Sequence, residues 1–142
     1  MQHQVIHGNL FFTTWYGVYQ PSSRTLRYAS AGHPPAFLIQ DTASRVHDLR
    51  TRNPPTGTTP EREVLAEEIQ VQPGDRLYVF SDGAYEIRTH DGTEWQLADL
   101  RTVIMDLGQT NGDDPVQIYR RVCAASATDL EDDFAMVALR FN

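Results

Sequence analysis

The sequence predicts an α+β fold, an antiparallel β-sandwich flanked by helices. Short aromatic, β-branched and aliphatic runs punctuated by turn residues fill the first half, two stretches of helical periodicity follow, and an apolar run closes the chain. Strands grouped apart from helices define the α+β class. At 142 residues the chain is long enough for one domain with its own core.

Leu10–Tyr19 (LFFTTWYGVY) is dense in strand formers, and Pro21-Ser22-Ser23-Arg24 turns the chain into a second strand, Leu26–Ala31. Gly32-His33-Pro34-Pro35 stops that strand, because proline donates nothing to a ladder. Ala36–Gln40 and Arg45–Leu49 form the next hairpin around Asp41-Thr42-Ala43-Ser44. The stretch 50–62 carries Pro54, Pro55, Gly57 and Pro60 and reads as a pre-ordered loop. In Glu63–Val71, Leu65, Glu67, Ile69 and Val71 recur at spacing two, which predicts a strand paired with the one that ends at Asp82. Gln72-Pro73-Gly74-Asp75 turns into Leu77–Phe80, apolar at successive positions and so expected to be buried on both faces. Gly83 is expected to allow a sharp turn.

Beyond Gly83 the periodicity changes. Ala84–Arg88 suits a short helix, and His90-Asp91-Gly92 a turn. Leu97, Leu100, Ile104 and Leu107 share a helical face that stops at Gly108. Asp114-Pro115 starts a second helix, whose apolar stripe is Val116, Tyr119, Val122 and Cys123. Phe134–Phe141 (FAMVALRF), apolar on both faces, is expected to be a central strand.

Composition excludes several function classes. Twelve basic against nineteen acidic residues give a net charge of −7, which opposes binding to a nucleic-acid backbone. The lone Cys123 forms no internal disulfide and fits a small core position, which points to a reducing compartment. No apolar run reaches membrane-spanning length, and Met1-Gln2-His3-Gln4 lacks the order of a signal peptide. A cytoplasmic location is expected, with neither nucleic-acid nor membrane partners.

Chemistry gathers at two strand ends. Asp82 closes the apolar run, and Asp129-Leu130-Glu131-Asp132-Asp133 precedes the last strand. If those strands are neighbours, Asp82 and Asp132 meet at one rim. Converging carboxylates repel unless a cation lies between them, and oxygen-only ligands select hard ions such as Mg2+ or Mn2+. No zinc-type set of Cys and His is present. His33 occupies another strand-ending turn.

Four ordered segments carry a resemblance: Phe11-Phe12-Thr13 with Tyr16-Gly17-Val18, Tyr28-Ala29-Ser30-Ala31-Gly32-His33-Pro34-Pro35, Gln72 through Gly83, and Asp132-Asp133-Phe134-Ala135-Met136. Together they resemble the metal-dependent serine/threonine phosphatases of the 2C type (PPM), in the bacterial sporulation stage II E (SpoIIE)-like branch that also serves stress sigma-factor switches. The resemblance spans nearly the whole chain. It implies a β-sandwich with two Mn2+ or Mg2+ ions at one end, Asp82 and Asp132 as metal ligands, and Asp133 in place of Asp132 if the register shifts by one. It further implies catalytic roles for Asp82 and for His33, which would bind phosphate or protonate the leaving serine. The substrate implied is a phosphorylated regulatory protein such as an anti-sigma-factor antagonist.

Two departures accompany the resemblance. The family's first metal aspartate lies in a Gly-Asp motif upstream of the Phe11 region, and this chain starts too late to contain it. The expectation is therefore an N-terminally truncated domain whose open sheet is covered by a homodimer contact or a partner segment. Ala135 stands where the family carries Thr or Ser. The alternative function is a catalytically incomplete module used for protein interaction or dimerisation.

Overall fold

A computed structural model describes residues 4–6, 9–41 and 44–142, and among these described residues alternating short apolar runs with turns and capped periodic segments form nine strands and two α-helices. The strands are β1 (Gln4–Ile6), β2 (Asn9–Phe11), β3 (Thr14–Gln20), β4 (Thr25–Ala31), β5 (Ala36–Gln40), β6 (Arg45–Leu49), β7 (Glu67–Gln70), β8 (Arg76–Phe80) and β9 (Met136–Arg140). The helices are α1 (Leu97–Gly108) and α2 (Pro115–Ala125). The sheets run β1-β2, β3-β4-β7 and β6-β5-β8-β9. This is an α+β fold built on antiparallel sheets with two helices, as the sequence pattern predicts. Residues 1–77 with 139–142 form one compact unit and residues 78–138 a second.

In the first unit β3 and β4 pair antiparallel through the Pro21–Arg24 turn, from Thr14↔Ala31 to Gln20↔Thr25. Leu10–Tyr19 is not one continuous strand. Phe12 leaves the ladder to exchange backbone bonds with Thr56 (3.0 and 2.8 Å), so the run breaks before Thr14. The strand expected over Glu63–Val71 shortens to β7, and its partner is β4 rather than β8. Two side-chain ties account for both changes. Asn53 accepts from Leu65 N and donates to Leu65 O (both 2.9 Å), keeping that end in the loop, and Tyr28 donates to Glu67 Oε2 (2.8 Å), joining β7 to β4. The middle of the expected Asp41–Ser44 turn lies outside the described residues.

Buried polar groups lock the loops. Ser30 and Thr51 exchange four hydrogen bonds of 2.7–3.1 Å, and Asn53 Nδ2 donates to Ser30 O at 2.9 Å. Asp75, 1% exposed, accepts from Gln72 N (2.8 Å) and Gln40 Nε2 (3.3 Å). Its own carbonyl accepts from Phe141 N (2.9 Å), and Gly74 N donates to Phe141 O (2.8 Å).

In the second unit Asp114 caps α2 by accepting from Val116 N and Gln117 N. The buried face of α2 is Ile118 and Val122; of the expected stripe Val116, Tyr119, Val122 and Cys123, Val122 is buried and Cys123 half-buried, whereas Val116 and Tyr119 are 56% and 45% exposed. Both stripes have helical spacing, so periodicity alone does not choose between them. Tyr78 reaches from β8 to donate to Asp113 O at 3.1 Å, holding the entry to α2. β9 is an edge strand rather than a central one, with Val137 and Leu139 about half exposed. Among the described residues, no helix is long and apolar enough to cross a membrane.

Replacing Asp75 by Ala removes the buried carboxylate that accepts from Gln72 N and unties the turn. Urea unfolding should show a loss of about 1–3 kcal/mol.

Candidate metal centre

β8 ends at Phe80, and the chain enters a single 3-10 turn, Asp82–Ala84, in place of the helix expected over Ala84–Arg88. Both Tyr85 N (3.0 Å) and Glu86 N (2.9 Å) donate to Asp82 O. That closure sets Asp82 and Glu86, four residues apart, on one side of the turn. Asp132 arrives from the loop before β9. One carboxylate oxygen from each of Asp82, Glu86 and Asp132 lies within 4.8 Å of the others, with Asp132 half-buried and the other two exposed. The Glu86 carboxyl is pushed above its ordinary range, first by partial desolvation and then by the charges of Asp82 and Asp132.

The loop is held by backbone geometry. Ser81 N donates to Ala135 O (2.9 Å), Ser81 Oγ donates to Asp133 O (2.8 Å), and Ala135 N donates to Ser81 Oγ (2.9 Å). A Cβ on Gly83 would stand 2.5 Å from Asp133 O and 2.8 Å from Asp132 O. Gly83 is therefore required for space, since its φ does not lie in the left-handed region where a sharp glycine turn was expected.

Of the residues singled out from the sequence, Asp82 and Asp132 are brought together. Asp133 is exposed and contributes its backbone carbonyl to Ser81, and its carboxylate is not in the cluster. His33 belongs to the other unit, where its Nδ1 lies 2.9 Å from Pro34 O in the turn after β4. In that turn Gly32 has φ +63, and a Cβ there would meet Pro55 at 2.5 Å. Glu86 was missed by sequence reasoning. Its signal was the four-residue spacing from Asp82, informative only once the turn is helical.

Three clustered carboxylates offer oxygen ligands only, which fits a hard divalent cation and not zinc or copper. The profile of the Stage II sporulation protein E (SpoIIE) family matches residues 1–142, and the chain belongs to that family. Phosphoserine phosphatase RsbU of Bacillus subtilis (strain 168) is 28% identical over 138 residues, covering 96% of this chain and 41% of RsbU. The chain thus spans less than half the length of that relative. A structure of the RsbU and RsbW domains of a Mycobacterium tuberculosis protein superposes with a TM-score of 0.74 at 20% identity, over 90% of this chain and 35% of that one. The catalytic domain of the serine/threonine protein phosphatase PstP, solved in complex with two manganese ions, superposes with a TM-score of 0.57 at 14% identity, over 91% of this chain and 57% of that one.

Gly83→Ala drives a methyl group into the Asp132–Asp133 backbone. It should lower stability by about 1–3 kcal/mol in denaturant unfolding. It should also shift the amide resonances of Asp132 and Asp133, whereas Gly92→Ala, which strains a turn at φ +85 but meets no atom within 4 Å, should leave those two resonances in place.

Proposed function

We propose that this chain is part of a metal-dependent protein serine/threonine phosphatase that hydrolyses phosphoserine or phosphothreonine on a bacterial regulatory protein, such as an anti-sigma-factor antagonist. The observation that carries this reading is the convergence of Asp82, Glu86 and Asp132 in a chain of the SpoIIE family. Its likeness to a phosphoserine phosphatase supports the choice of substrate class.

In this reading Asp82, Glu86 and Asp132 hold Mn2+ or Mg2+. A bound divalent ion supplies charge neutralisation at phosphoryl oxygens and a water acidic enough to yield hydroxide near neutral pH. The protein's own part is positional. The 3-10 turn presents Asp82 and Glu86 together, and the Ser81 clamp keeps Asp132 beside them. The negative cluster is thereby prepared for a cation and opposes the approach of a bare phosphate. His33 has no assigned step in this reading.

Mn2+ titration followed by electron paramagnetic resonance should show binding that falls about tenfold or more in Asp82→Asn and in Asp132→Asn, and that persists in Asp133→Asn. Phosphopeptide hydrolysis should require Mn2+ and vanish in Asp82→Asn. Manganese binding that ignores Asp82 would defeat the metal assignment. Binding without turnover would favour the interaction-module reading.

We also propose that a second copy or a partner segment covers β3, which pairs only with β4 among the described residues and exposes Tyr16 and Val18. Sedimentation at rising concentration should show association, and a monomer throughout would exclude coverage by a second copy.

A further inference from the structure

Beside the carboxylate cluster, within the second unit, lies a cavity of about 560 Å3. Glu86 belongs to both, so an occupant of the cavity sits one side chain away from the cluster. Ile87, Arg88, Glu94, Trp95 and Glu131 also line it. The walls are set by main-chain bonds. Trp95 N donates to Ile87 O (3.0 Å), Ala127 N donates to Arg88 O (2.8 Å), and Thr89 N donates to Thr93 O (2.9 Å). At the turn of this hairpin Asp91 Oδ1 accepts from Thr93 N at 3.0 Å. A pocket walled in this way loses little entropy when filled.

Its chemistry is unlike that of a phosphate site. The guanidinium in the lining, Arg88, is paired with Glu94 at 2.9 Å. Glu86 is committed to the cluster. The lining also offers the Trp95 indole and the Glu131 carboxylate, together with Tyr85, Gln96 and Thr128; an aromatic ring and a carboxylate in one cavity suit a guanidinium, which stacks on the ring while its edge meets the carboxylate. We infer that this cavity is a specificity pocket for a cationic side chain, arginine above all, lying close in sequence to the phosphorylated residue of the substrate. The inference rests on the phosphatase reading for its substrate, and it adds a recognition rule to that reading.

The test separates recognition from chemistry. Short unphosphorylated serine peptides that differ only in carrying Arg, Ala or Glu beside the serine are titrated into the full chain by calorimetry, with EDTA present so that no metal-dependent step contributes. The Arg peptide should bind about tenfold or more tightly than the Ala peptide, and the Glu peptide most weakly. Glu131→Gln and Trp95→Leu should each bring the Arg peptide down to the Ala level. Glu131 is exposed, so its variant keeps the test valid if Trp95→Leu fails to fold. Equal affinities, an Arg preference that survives Glu131→Gln, or no binding of any peptide would overturn the inference. Failure of the phosphatase reading shows separately, as absent Asp82-dependent turnover while the Arg preference stands.

Discussion

The contact on which the candidate site depends is the seating of the Asp132–Asp133 backbone directly on Gly83. Two carbonyl oxygens occupy the space a Cβ would need, and the Ser81 hydroxyl, donor to Asp133 O and acceptor from Ala135 N, fastens the same loop. Carboxylates within 4.8 Å of one another repel, by about 1 kcal/mol per pair in bulk water and by several times that in a less polar setting. Left to itself, a loop bearing Asp132 would move away from Asp82. Neutral hydrogen bonds, insensitive to that repulsion, hold it in place. The site is thus an electrostatically unfavourable arrangement sustained by packing, the condition under which a cation gains most by entering.

The same division of labour separates two aspartates of one motif. Asp75 opens the apolar run and Asp82 follows its end. Asp75 is buried, with backbone and side-chain donors at its carboxylate, and it ties the turn before β8 to Phe141. Asp82 is exposed, and its main-chain carbonyl shapes the turn while its carboxylate points to the cluster. Residue type does not distinguish them. One carboxylate is satisfied by the protein's own donors, and the other joins the acidic cluster.

Much of the architecture was legible from local chemistry. β5, β6, β8 and the Asp114 cap followed from turn residues, proline and strand-forming runs, because those signals act over a few residues of chain. Glu86 was not legible, because its four-residue spacing from Asp82 has meaning only in a helical turn. The buried face of α2 was ambiguous for a related reason. Val122 is shared by the stripe through Val116 and Tyr119 and by the one through Ile118, both of helical spacing, and only the neighbours of the helix decide which is covered.

By itself, then, the sequence determined the α+β class, the positions of most strands and helices, and Asp82 and Asp132 as the carboxylates to watch. These rest on propensity, capping and apolar patterning, all local in the chain. The tertiary structure alone decided that β7 pairs with β4, that β9 lies at an edge, that Asp132 rather than Asp133 joins the cluster, and that Glu86 completes it. The pairing of β7 and the arrival of Asp132 turn on contacts between distant segments: Tyr28 with Glu67, Asn53 with Leu65, and Gly83 with the backbone of Asp132 and Asp133. Such contacts are fixed by the space between packed elements, which no single stretch of sequence encodes.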